Sequence, residues 1–251
     1  MRRIVLELFV CLTIAATFGP GSLKSIAQSR RSENAVLALN RGWQFRQITS
    51  TPQDAESGWL PATVPGDVHL DLLANKKIPD PFFRENESKL QWIENANWEY
   101  RLQFDVTPAV LARSNVDLVF DGLDAAAQVE LNGAQVLDTN NMFRTWRIPP
   151  KGHLHVGSNL LRVIFPSPIK AAQQVAVLDP WHARTKIADK TYIRKAAYEY
   201  GWDWGPRFVT VGIWRPVRIE AWDKARIADF AIDQVYYRLD LVAWICQSFE
   251  T

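Results

Sequence analysis

An all-β fold, an antiparallel sandwich, is what this sequence predicts, and three observations carry the prediction. Trp98, Tyr100, Leu102, Phe104 and Val106 alternate with Glu99, Arg101, Gln103 and Asp105, the period-two pattern of a strand with one buried face. Asn132-Gly133 stands between Val129 and Leu131 on one side and Val136 on the other, and that dipeptide accepts the positive φ angles of a type I′ hairpin turn. Short apolar runs recur down the rest of the chain, each closed by turn residues.

From the N-terminus, Arg2 and Arg3 precede a mainly apolar run, Ile4 to Phe18, which is broken by Glu7 and too short to span a bilayer comfortably. This reads as a signal peptide over residues 1–27, cleaved after Ser25-Ile26-Ala27. Phe9 and Val10 precede Cys11 where a lipobox needs small residues, which argues against lipidation. The expected location is periplasmic or extracellular, with no membrane attachment after cleavage. The first strand is expected near Val36, with Leu37, Leu39 and Trp43 as its apolar neighbours. Val64-Pro65-Gly66 then breaks the chain, and Asp67 is placed to cap one short helix carrying Val68, Leu72 and Leu73.

Pro79 to Gln91 reads as a long loop anchored by Phe82 and Phe83. Beyond the strand at 98–106, Val116, Leu118 and Phe120 mark another, and further strands are expected at 143–148, 159–165, 192–196 and 215–222. The sandwich thus occupies residues 36–222. Asp223-Lys224 makes a linker, and residues 226–251, where Ile227, Phe230, Ile232 and Val235 recur, begin a second β domain that is not completed. Half a domain cannot cover Leu241, Val242, Trp244 and Ile245, which are expected to stay poorly ordered or to bind something.

The net charge of +2, with no stretch of unopposed Lys or Arg, gives no electrostatic footprint for nucleic acid or an anionic membrane. Loss of the leader leaves Cys246 as the one cysteine, so no intrachain disulfide forms and core burial must hold the fold. The eleven tryptophans suit either a thick core or a carbohydrate surface.

The densest chemical signal is Tyr198-Glu199-Tyr200-Gly201-Trp202-Asp203-Trp204-Gly205-Pro206-Arg207. Its glycines and proline predict an irregular loop, which brings an indole face and a carboxylate toward one ligand. A pyranose needs that pair, because its apolar face packs on an aromatic ring while its hydroxyls donate to a carboxylate. The competing reading has the tryptophans plugging the end of the sandwich and Asp203 capping backbone amides, and spacing alone leans toward it. Arg194 and Arg207 flank the segment and either orient Asp203 or bridge to other carboxylates; a supporting role is assigned to Arg194. Glu199 and Asp203 are four apart, a spacing that unites carboxylates only on a helix, and no helical periodicity surrounds them. His153 and His155 lack further ligands nearby, so no metal is expected and a turn at Gly152 accounts for them. Trp92, Trp98 and Trp214 are assigned to the core.

Several stretches together carry a resemblance: Val64-Pro65-Gly66-Asp67-Val68-His69 with Asp71-Leu72-Leu73, Ile78-Pro79-Asp80-Pro81-Phe82, and Gln91-Trp92-Ile93 leading to Trp98-Glu99-Tyr100. Further on come Ile193-Arg194-Lys195-Ala196, Trp202-Asp203-Trp204-Gly205-Pro206 and Gly212-Ile213-Trp214-Arg215-Pro216-Val217-Arg218-Ile219. In order and spacing these resemble the N-terminal domain of β-mannosidases of glycoside hydrolase family 2, over roughly Leu37 to Trp222. The resemblance implies a jelly-roll, galactose-binding-like antiparallel β-sandwich, then an immunoglobulin-like domain that residues 226–251 begin, then a (β/α)₈ barrel with two catalytic glutamates. Those glutamates would stand about 5 Å apart and perform a retaining hydrolysis of terminal β-mannosides.

The resemblance also implies that Trp202, Asp203 and Trp204 reach into the barrel's pocket and help hold the mannose of a β-mannoside or manno-oligosaccharide, with no cofactor. The sequence ends at Thr251, so neither catalytic glutamate is expected within it, and the chain alone is expected to be inactive. Asn86-Glu87 echoes the family's acid/base pair but sits in an early loop rather than at a barrel strand end, and is assigned to the surface. The alternatives are a stand-alone carbohydrate-binding module and a non-catalytic interaction domain.

Overall fold

The structure, a computed structural model, describes residues 34–48, 58–150, 152–179, 181, 189–237 and 240–250, those from 229 onward as backbone. The expected leader, residues 1–27, lies outside the described residues. In chain order the elements begin with β1 (Ala35–Ala38), β2 (Gln44–Ile48), β3 (Leu60–Pro61), α1 (Val68–Ala74), α2 (Asn86–Lys89) and β4 (Asn97–Val106). There follow α3 (Pro108–Leu111), β5 (Asn115–Phe120), β6 (Ala126–Leu131), β7 (Ala134–Asn140), β8 (Trp146–Ile148), β9 (Gly157–Phe165) and α4 (Pro168–Ala176). The chain then runs through β10 (Tyr200–Trp202), β11 (Gly205–Arg207), β12 (Val217–Trp222), β13 (Arg226–Tyr237) and β14 (Asp240–Glu250).

Two antiparallel sheets form the sandwich: six strands in the order β3-β2-β4-β9-β6-β7, and four in the order β1-β12-β5-β8. Their inner faces share one continuous apolar cluster, in which Trp43, Phe45, Trp98, Tyr100, Leu131, Leu161 and Phe165 meet Leu118, Phe120, Val217 and Ile219. Burial of that cluster drives the fold, at roughly 25 cal/mol for each Å² of apolar surface removed from water. Two of the buried indoles are also satisfied: Trp43 Nε1 donates to the Leu39 carbonyl at 2.6 Å and Trp98 Nε1 to that of Ile93 at 3.1 Å. The predicted hairpin joins β6 to β7, with Asn132 at φ 51° and Gly133 at φ 82°.

Asp67 caps α1 as expected, its carboxylate accepting from the backbone N–H groups of His69 at 2.8 Å and Leu70 at 3.1 Å. On the next turn Asp71 is buried, accepting hydrogen bonds from Thr63 N at 2.7 Å and from Tyr100 Oη at 2.8 Å. Burial pushes its carboxyl up to about 6 despite those two donors.

Several expectations need correction. Among the described residues the single helix becomes four short ones; α4 starts at Ser167-Pro168, where Ser167 Oγ accepts from Lys170 N at 3.2 Å and proline fits the first turn. Residues 192–196 are not a strand: a 3-10 turn covers Asp189–Tyr192, and Arg194 makes one isolated bridge to Asn141. Part of the loop at 79–91 winds into α2. Trp98 is core, and Trp214 is half-buried with its Nε1 donating to the Met142 carbonyl at 3.1 Å, but Trp92 is 42% exposed and only leans on Trp98. Positions 241–245 lie in the backbone ladder of β13 and β14. Among the described residues no helix is long and apolar enough to cross a membrane.

Candidate functional site

The segment expected to be an irregular loop is a tight hairpin. Tyr200 pairs with Arg207 and Trp202 with Gly205, leaving Asp203 and Trp204 as the two-residue turn. Gly201, at φ 89°, gives the ascending strand a backbone angle that a side chain would resist. Both indoles point into solvent, Trp202 at 53% and Trp204 at 84% exposure, with ring centroids 6.0 Å apart and planes inclined at 70°. These exposures set aside the reading in which the tryptophans plug the sandwich. Asp203 is exposed and makes no hydrogen bond or ion pair among the described residues, so it caps no amide and its carboxylate is free to accept.

Arg207 ties the hairpin to the body of the domain. Its guanidinium donates to both carboxylate oxygens of Glu94, at 2.7 and 3.1 Å, and to the Tyr200 carbonyl at 3.2 Å, while lying over the Tyr200 ring. Its backbone N–H donates to Glu87 Oε1 at 2.6 Å. Of the two fates open to Arg207, bridging to carboxylates other than Asp203 is the one realised. Arg194 is exposed, and its side chain makes no hydrogen bond or ion pair among the described residues, so no contact orients Asp203 from that side.

A shallow open depression of about 500 Å³ lies beside the turn, lined by Glu87, Lys190, Gly201, Trp202, Asp203, Gly205 and Arg207. Glu87 and Lys190 are the residues that sequence reasoning missed. Glu87 was assigned to a surface loop, and what brings it to the hairpin is a bond to a main-chain N–H 120 positions away, which no local pattern records. Nearby, Phe208 makes edge contacts with Phe82, which is 77% exposed, and with His69.

Under the hairpin lies a buried polar network. The Lys195 ammonium, with a fully buried side chain, bridges the carboxylates of Asp124 and Glu199 and donates to Thr210 Oγ1 at 3.2 Å. The Thr210 hydroxyl stands 2.6 Å from Glu199 Oε2 and 2.8 Å from Asp124 Oδ2. Burial pushes the Asp124 carboxyl up to about 6, the Lys195 charge opposing the rise and Glu199 adding to it. Burial, helped by the Lys195 charge, lowers the His69 imidazole to about 4. Asp67 is raised, again chiefly by burial, against its two backbone donors.

His153 and His155 belong to a turn at Gly152, φ 92°, pinned by Asn132 Nδ2 on the His153 carbonyl and by Asn159 on the backbone of His155. Among the described residues no group of three or more His, Cys, Asp or Glu side chains is placed to hold a metal ion. The site therefore offers two indole faces, one free carboxylate and a polar hollow, a combination suited to binding a polyhydroxylated ring.

The chain is 40% identical over 197 residues to the β-mannosidase B of Aspergillus terreus and 39% identical over 196 residues to that of Neosartorya fischeri. In each case 76% of this chain is covered, and the chain spans only 23% of the relative's length. Among solved structures it is similar to the β-D-mannosidase of Dictyoglomus thermophilum, with a TM-score of 0.75, 37% identity, and coverage of 81% of this chain and 24% of that one. The family described as glycosyl hydrolase 2 galactose-binding domain-like matches residues 43–215, from the buried Trp43 through the exposed hairpin to Arg215, and the chain belongs to that family.

Proposed function

We propose that this chain is the sugar-binding first domain of a β-mannosidase-like retaining glycoside hydrolase. Its Trp202-Asp203-Trp204 turn forms one wall of the mannose pocket, and the catalytic barrel lies outside these 251 residues. The observation that carries the reading is the turn itself: two exposed indoles bracket a carboxylate with no partner among the described residues, at the rim of a polar hollow. Similarity to β-mannosidases over 76% and 81% of the chain supports the choice of mannose. In this scheme residues 226–251 open an immunoglobulin-like domain, and the substrate is a β-mannoside or manno-oligosaccharide held jointly with the barrel.

Hydrolysis would fall to two carboxyl groups of the barrel, about 5 Å apart, one as acid/base and one as nucleophile. Residues 1–27 serve as an export leader, with a periplasmic or extracellular mature protein beginning at Gln28; N-terminal sequencing of the secreted product checks this.

The test is hydrolysis of a chromogenic β-mannoside by the purified chain, alone and mixed with a separately produced catalytic fragment. The expected result is no turnover alone, turnover on mixing, and loss of that turnover with Asp203→Ala. Turnover by the chain alone would overturn the proposal. One observation favours a second reading, a stand-alone carbohydrate-binding module: both indoles and the hollow belong to this chain without help. Saturable binding of manno-oligosaccharides to the isolated chain would select it.

A further inference from the structure

The turn that carries Trp202, Asp203 and Trp204 has few contacts of its own, so its direction is decided at the feet of the hairpin. Glu199 immediately precedes β10, and Thr210 lies three residues after β11. Thr210 N donates to Glu199 Oε2 at 3.2 Å, and the Thr210 hydroxyl and Lys195 ammonium both meet the same oxygen. The two feet are thereby clamped to each other. Asp124 then fixes the clamp to the sandwich, since it follows β5, accepts from the Thr210 hydroxyl and from Lys195, and donates its N–H to the Gly212 carbonyl at 3.0 Å.

The composition of this network is unusual for a purely packing role. An ammonium with no solvent exposure is stabilised only by well-placed partners, and Lys195 spends all three of its protons on Asp124, Glu199 and Thr210. The single Thr210 proton serves one carboxylate at a time, so the geometry needs every member present. An apolar plug would hold the sheet ends together equally well but would leave the hairpin free to tilt, whereas charge-assisted bonds fix direction.

We infer that Lys195, Glu199 and Thr210 are positioning residues, a buried clamp that aims the Trp202-Asp203-Trp204 turn. That this turn faces a sugar rests on the function proposed above; the aiming itself does not.

The full chain is labelled with 5-fluorotryptophan, and the fluorine resonances of Trp202 and Trp204 are assigned by Trp202→Phe and Trp204→Phe. Thr210→Val keeps the side-chain shape and removes the hydroxyl, while Thr210→Ser keeps the hydroxyl. The expected result is that Thr210→Val still unfolds cooperatively but shifts or broadens the resonances of Trp202 and Trp204, leaving those of Trp43 and Trp98 in place. Thr210→Ser returns both resonances to their wild-type positions.

If Thr210→Val does not fold, Glu199→Gln is read in the same way. Unchanged Trp202 and Trp204 resonances in a folded variant overturn the inference. So does a failure of both variants to fold, which would make the network a support of the whole sandwich. The mannosidase reconstitution judges the sugar reading separately: moved resonances with turnover untouched by Asp203→Ala would sink the sugar reading alone, and the reverse pattern would sink the clamp alone.

Discussion

Glu99 lies on β4, between β2 and β9 in the six-stranded sheet. Its place in the alternation of 98–106 assigns it to the outer face of the sheet, and it is there, yet it is only 1% exposed. Arg46 from β2 donates to Glu99 Oε2 at 3.0 and 2.8 Å, and Arg162 from β9 donates to Oε1 at 2.5 Å before reaching on to Glu130 at 2.7 Å. Periodicity gives the face of a side chain, not its depth, because depth depends on which residues the neighbouring strands bring alongside. Glu99→Ala would leave two guanidiniums without their shared acceptor. Since both are partly in water, the loss should sit at or below the low end for breaking a buried pair, about 2–3 kcal/mol, measurable by denaturant unfolding. Asp203→Ala is the opposite case: for an exposed carboxylate with no partner among the described residues, removal should change stability by less than about 0.5 kcal/mol while abolishing reconstituted turnover. Trp202 and Trp204 were legible as a motif; their exposure was not, because the same residues at the same spacing also fit a plug.

At the scale of elements, the sequence carried those fixed by local chemistry. Asp67 before an apolar helical pattern, Asn132-Gly133 between strands, and the long alternation of β4 each have a short-range physical cause, and each appears where expected. The hairpin of β10 and β11 was missed because its glycines and proline read as breakers, whereas the pairing is secured by Arg207 reaching Glu94 and Glu87 far away in sequence. The Lys195 network was illegible for a similar reason: its members are spread from 124 to 210 and meet only after the sandwich closes. Gly212 shows how tightly that closure is made. A Cβ built on it would lie 2.7 Å from both Asp67 Cα and the Gly66 carbonyl, main-chain atoms that cannot rotate away. Gly212→Ala should therefore push the start of α1 off the strand end and cost about 1–3 kcal/mol, the range for overpacking. A melting temperature equal to wild type would refute that close approach.

Over the whole molecule, the inward-facing titratable groups make stability depend on pH in two opposing ways. Asp71 and Asp124 are raised from 3.8 to about 6, so between those values the folded state holds protons that the unfolded state has released. Their contribution is full below about pH 4 and is lost as pH rises through about 6. His69 is lowered from 6.5 to about 4, so its contribution is full above about 6.5 and is lost as pH falls through about 4. Acidification from neutrality therefore strengthens the fold through Asp71 and Asp124, with the raised Asp67 acting in the same direction, while weakening it through His69, and the net curve alone cannot assign any one part. Replacing one group separates them. Asp71→Asn imitates the protonated acid at every pH, keeping an oxygen for Thr63 N while removing the charge beside Tyr100. The stability of Asp71→Asn relative to wild type should thus rise steadily from pH 4 to pH 6 and then level off, as followed by urea unfolding at half-unit steps. A difference that stays flat across that window would mean that burial does not hold the Asp71 proton, and that the acid side of the curve belongs to other groups.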